Sequence, residues 1–143
     1  MKHEVIFPGE GIEYRWSSDH IFVKTVGRLA EGRVSMIEDT LEPNFHLGRH
    51  YHKEMTEIFY ILEGEVTLIF DDETIVAKPG TVINVPPNVW HEAKSENGGR
   101  MLSIFSPAGF EDYLAELKTM TDDQFADEAL MQSLNKKYDI WHV

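Results

Sequence analysis

The sequence predicts an all-β sandwich or barrel followed by a pair of α-helices. Three observations predict it. Between residues 57 and 88, four short runs rich in β-branched and aromatic residues alternate with turn formers. The turn signals recur about every 8–12 residues, the rhythm of a sandwich or barrel. After Phe105 the period changes, and apolar residues recur at helical spacing.

The elements follow in order. HIFVKTV (20–26) and RVSMIEDTL (33–41) read as the first strands. EIFYIL (57–62) ends at Glu63-Gly64, and EVTLIF (65–70) ends at Asp71-Asp72. ETIVAK (73–78) ends at Pro79-Gly80, and TVINV (81–85) ends at Pro86-Pro87-Asn88. NVWHEAK (88–94) and RMLSIF (100–105) complete the set, with SENGG (95–99) as the loop between them. In SPAGFEDYLAELKTM (106–120), Phe110, Tyr113, Leu114 and Leu117 fall on one helical face, and Pro107 suits a first helical turn. TDDQ (121–124) is a capping-box pattern, and Phe125, Ala129, Leu130 and Leu134 continue a second face toward Lys136-Lys137. Both faces read as packing surfaces that cover the barrel. Residues 1–143 thus form one domain, with the barrel over about 1–106 and the helices over about 107–143.

Composition narrows the function. Hydrophobic residues make up 42% of the chain, enough for a core, so the 27% charged residues do not signal disorder. The formal charge of -12 repels phosphate backbones and anionic membranes, so neither nucleic acid nor membrane is an expected partner. With no cysteine, thiolate zinc sites, iron–sulfur clusters, disulfides and cysteine nucleophiles are excluded. No apolar run of signal-peptide or spanning type is present, which leads to the expectation of a soluble, cytoplasmic protein.

The chemistry concentrates in RHYHKEMTEIFYILEGEV (49–66). His50 and His52 share a face of an extended chain, with attachment points about 6.5 Å apart, close enough to share one ion. Glu57 has the wrong parity for that face on an unbroken strand. The polar KEMT (53–56) is a candidate turn or bulge that resets the phase, so that Glu57 points inward with Phe59 and Ile61. His91 follows the Pro86-Pro87-Asn88 turn as a fourth donor. Three neutral imidazoles and one carboxylate suit one divalent transition metal ion, Fe, Mn, Ni, Zn or Cu, with positions left open for water or a small-molecule substrate.

This pattern resembles the cupin superfamily. The first family motif, G-x5-H-x-H-x3,4-E-x6-G, matches at His50, His52, Glu57 and Gly64. The second, G-x5-P-x-G-x2-H-x3-N, matches at Gly80, Pro86 and His91. Asn44 and Asn88 stand where the motifs have glycine, and Ser95 stands where the second motif closes on Asn. TLEPNF and SPAGFEDYLAEL further resemble small single-domain cupins of the quercetin-dioxygenase-like subgroup. The resemblance implies a double-stranded β-helix, or jelly-roll barrel, with the metal inside it and a homodimer as the assembly.

Other residues gain only expectations. His46 shares parity with His50 and His52 unless Gly48 breaks the strand, which makes it a candidate for the substrate pocket beside Phe59 and Ile61. Trp90 is expected to face away from His91. His3, His20 and His142 have no partner at ligand spacing. The resemblance implies a metal-dependent dioxygenase acting on a small enol or aromatic metabolite, with Glu57 also serving as a proton acceptor. The same donors would serve a non-oxidative isomerase, lyase or hydrolase, and the same fold would serve a non-catalytic binding module.

Overall fold

The computed structural model describes residues 2–142. Ten strands form two antiparallel sheets. They are β1 (Ile12–Arg15), β2 (Asp19–Thr25), β3 (Ser35–Leu41), β4 (Phe45–His50), β5 (Thr56–Gly64), β6 (Val66–Ile69), β7 (Thr74–Ala77), β8 (Val82–Val85), β9 (His91–Ser95) and β10 (Gly99–Ser106). The larger sheet has the order β1-β2-β3-β10-β5-β8, and the smaller has the order β4-β9-β6-β7. The architecture is a two-sheet jelly roll with helices near the C-terminal end.

Alternation of side chains makes the interior. β3 buries every second residue, Ser35, Ile37, Asp39 and Leu41. β5 does the same with Glu57, Phe59 and Ile61. One apolar cluster, including Phe59, Ile61, Val66, Leu68 and Met101, joins the two sheets at one end. A second, including Tyr14, Ile37, Phe105 and Leu114, packs the first helix against the larger sheet. The polar donors lie between the two.

The two asparagines that replace motif glycines both sit at left-handed backbone positions, Asn44 at φ 66° and Asn88 at φ 67°. Asn is the side chain that tolerates this region best after glycine, so the turns survive the exchange. Gly64 has no such substitute. Its φ is 72°, and a Cβ there would stand 2.5 Å from the Gly98 carbonyl oxygen. Ser95, in place of the closing Asn, donates its hydroxyl to the Glu65 carbonyl at 2.8 Å and ties β9 to β6.

Three helices, not a pair, follow the strands: α1 (Phe110–Lys118), α2 (Asp122–Ala126) and α3 (Glu128–Lys137). The expected capping box is present, with Thr121 accepting from the Gln124 backbone and Gln124 reaching back to Thr121. The second helix breaks at Asp127, whose extended backbone ends α2 and whose carboxylate accepts from Leu130 N to start α3. Pro107 lies outside the first turn, because Gly109 is the N-cap of α1. β1 was not expected; it adds an edge strand to β2 and buries only Tyr14. Among the described residues, no helix is long and apolar enough to cross a membrane.

Candidate metal centre

His50, His52, Glu57 and His91 are all buried, and their ligand atoms lie within 4.8 Å of one another. Both sheets contribute. His50 on β4 is paired in register with His91 on β9, and their ring centroids are 4.3 Å apart. Glu57 projects from β5 of the other sheet, in register with Val85 and Phe105. His52 comes from the turn after β4, and the phase does reset across 53–56.

Hydrogen bonding fixes which nitrogen faces the centre. Each Nδ1 has a backbone carbonyl: His50 donates to Gly48 O at 2.7 Å, His52 to Asp139 O at 2.8 Å, and His91 to Val89 O at 2.9 Å. That leaves three Nε2 atoms as the inward donors. Glu57 Oε1 lies 3.2 Å from Nε2 of both His52 and His91. Lone pairs on both sides of those contacts need a proton or a cation between them, and this buried set of four offers a divalent metal its donors. The residues therefore fit the ion.

Electrostatics agree. Burial alone would raise the Glu57 pKa, but in the metal-free protein protons on Nε2 of His52 and His91 outweigh it, through hydrogen bonds and charge, and hold it at about 2. Burial, reinforced by the neighbouring His91, pulls His50 down to about 4, so it is neutral and free to ligate at neutral pH. Burial also disfavours charge on His52, yet Glu57 and the Asp139 carbonyl prevail and raise its pKa.

A cavity of about 120 Å³ opens beside the donors, walled by Leu47, Phe105, Phe110, Tyr113, Ile140 and His142. The last two come from a strap at the C-terminal end that returns to the barrel. Asp139 anchors it: its carboxylate accepts from the backbone N–H groups of Lys53, Glu54 and Met55. Tyr51 and Trp141 exchange two backbone hydrogen bonds beside it.

The three expected pocket residues stand elsewhere. His46 is half exposed and bonded to Glu92 at 2.9 Å. The β4–β9 register shifts between Leu47 and His50, so an extra residue flips the parity and turns Leu47 inward in place of His46. Phe59 and Ile61 are 1% and 0% exposed and belong to the core beneath the centre. Phe59 backs the His91 ring at 6.2 Å. Trp90 packs on Tyr51 at 4.4 Å, under the Arg49 guanidinium. His142, with no partner at ligand spacing in sequence, lies 6.1 Å from the His50 ring. Only the apolar face of α1 hinted at Phe110 and Tyr113; nothing in the sequence marked Asp139, Ile140 or His142.

A buried imidazole–carboxylate set between the sheets of a jelly roll is a potential metal site. Residues 37–105 match the family model described as Cupin domain. Over 69 residues the chain is 35% identical to quercetin 2,3-dioxygenase of Bacillus subtilis, covering 48% of this chain and 20% of that one. Over 73 residues it is 40% identical to an uncharacterized protein of Methanocaldococcus jannaschii, covering 51% of each. The chain thus spans about a fifth and about half of the length of these two curated relatives. An RmlC-like cupin from Shewanella frigidimarina superposes with a TM-score of 0.66 at 20% identity, over 75% of this chain and 93% of that one. Together the family match and the fold support placing the chain in the cupin superfamily.

Proposed function

We propose that the chain is a metal-dependent dioxygenase acting on a small enol or aromatic metabolite. The observation that carries this reading is the four-donor cluster bordered by a cavity on its open side. The partial likeness to quercetin 2,3-dioxygenase supports the oxidative form. A bound Fe, Mn or Ni ion would supply Lewis acidity and the means to react with dioxygen. The chain's own residues do the rest. The three Nδ1 hydrogen bonds hold the imidazoles in one tautomer and orientation. Glu57 is the one carboxylate among the described lining residues, which supports its role as acceptor of an enol O–H proton. Leu47, Phe105, Phe110 and Ile140 keep water from the reacting atoms.

The test is elemental analysis of protein purified without added metal or histidine tag, followed by oxygen uptake with a panel of enols. A redox-active metal and substrate-dependent oxygen consumption support the proposal. Zinc, with turnover unaffected by removing oxygen, would instead assign an isomerase, lyase or hydrolase. Tight ligand binding without turnover would assign a binding module. A homodimer is part of the same proposal. Tyr60, Val82 and Leu102 share the outer face of the larger sheet, with Tyr60 and Val82 exposed, and they offer a second copy an apolar surface.

A further inference from the structure

The cavity's size and lining restrict what it can hold. Cavities of roughly 150 Å³ take one benzene ring, and pockets for drug-sized ligands begin at about 300 Å³. At about 120 Å³, this one matches a single ring. Its walls are fastened. Phe105 and Phe110 stack with centroids 4.4 Å apart. Ile140 is 7% exposed, and the strap that carries it is held by the three hydrogen bonds to the Asp139 carboxylate and by the Tyr51–Trp141 backbone pair. A second ring held between these walls would have to break these contacts, and one at the mouth would meet His142.

Charge narrows the choice further. No Lys or Arg stands among the described lining residues. The implied ion is thus the one cation for an anionic ligand there, and it pairs with the chelating head. A second anionic group buried among Leu47, Phe105, Phe110 and Ile140, away from the mouth, would have no cation beside it, a costly burial. His142 stands at the mouth, exposed on its outer side and bordering the cavity on the other.

Building on the metal-site reading, we infer that the site takes a compact monoanionic O,O-chelator no larger than one substituted ring, and that His142 contacts the bound molecule. Multi-ring flavonols and dicarboxylates lie outside this class. His142 is a specificity residue: its ring lies beyond the four donors, where it can hydrogen-bond the outer edge of a bound chelator.

Three probes with one chelating head separate size from charge. Maltol is a single hydroxypyranone ring, comenate is that ring with an added carboxylate, and 3-hydroxyflavone is that ring with further rings. Each is titrated into the full chain loaded with Co²⁺, followed by calorimetry and the visible spectrum of the ion. Each affinity is divided by the probe's affinity for Co²⁺ as its nitrilotriacetate complex. Maltol is expected to exceed both others by at least about tenfold on this scale. His142→Ala is expected to weaken maltol by about fivefold, the loss of one neutral hydrogen bond, with Co²⁺ stoichiometry unchanged. Equal binding of 3-hydroxyflavone overturns the size limit, and equal binding of comenate overturns the charge limit. Unchanged maltol affinity in His142→Ala overturns the role of His142. Failure to take up Co²⁺ at all would strike the underlying metal reading instead, and the loading step shows it separately.

Discussion

The Nδ1–H of His52 donates to the backbone carbonyl of Asp139, 2.8 Å away in space and 87 residues away in sequence. The same residue's carboxylate gathers the N–H groups of 53–55, the turn that carries the chain from His52 to Glu57. One residue thus orients a donor and shapes the link between two donors. Its backbone is left-handed, φ 62°, which suits Asp or Asn better than Ala.

Asp139→Ala is therefore expected to cost about 2 kcal/mol of stability, because three backbone N–H groups and the Trp141 indole N–H lose an acceptor. Metal affinity is expected to fall by about tenfold or more, the usual effect of disturbing a ligand's support. Asp139→Asn, which keeps one acceptor oxygen and tolerates the backbone, should lose less of both. Thermal melts and competitive metal titration of the two variants check the ranking.

His91→Ala is expected to remove stoichiometric metal while leaving a folded barrel. His91 is fully buried beside Phe59 and His50, so a drop of a few kcal/mol in stability accompanies the loss. His46→Ala, at the exposed rim, should retain full metal content. Elemental analysis of both variants, with circular dichroism for folding, separates ligand from bystander.

Metal affinity is expected to fall as pH drops. His52 has a raised pKa, so proton competition starts above pH 6.5 and weakens binding by about tenfold per unit below it. His50, at about 4, adds nothing to that slope until the pH approaches its own value. In the metal-free protein the two act oppositely on stability. The depressed His50 contributes stability above its unfolded value of 6.5 and loses it as pH falls toward 4. The raised His52 contributes below 6.5 and loses it as pH rises through its folded value. Affinity that stays flat between pH 8 and 5 would contradict ligation by these imidazoles.

Half-buried Asp19 and buried Asp39 form an acid pair, with Ser103 donating to Asp39 at 2.9 Å. Burial pushes both carboxyls up, and their proximity raises Asp19 further, so the folded pair keeps a proton that the unfolded chain gives up above about pH 4. A raised folded pKa means that the pair's favourable contribution is complete at low pH and fades as pH rises. Asp19→Asn removes the need for that proton. It is expected to stabilise the protein by about 1–2 kcal/mol at pH 8, with the gain shrinking toward pH 4. Denaturant melts at the two pH values measure the difference.

Much of the barrel was legible because its strands carry local signals. The runs from Glu57 to Val85 bury alternate residues and stop at glycine, proline or acidic turns, and each appears in the structure. The four donors were legible because their spacing is fixed within short segments. Parity failed at His46, where the extra residue near Gly48 leaves no mark in composition. The break at Asp127 was written in a capping residue that the helical period concealed. β1 was too short and too exposed to show a pattern. The pocket wall was the least legible part. Ile140 and His142 reach the site only because Asp139 finds its partners 84 to 87 residues upstream, a match that no local window contains.

That distant fastening also orders events during synthesis. A ribosome delivers His50, His52, Glu57 and His91 well before the segment that steadies His52 and walls the cavity. A nascent chain stalled before Asp139 would hold all four donors with one imidazole unsupported, and it would load metal weakly. Maturation of the centre is thereby tied to synthesis of the segment that carries Asp139, so a chain released before that segment is disfavoured from carrying a bound ion.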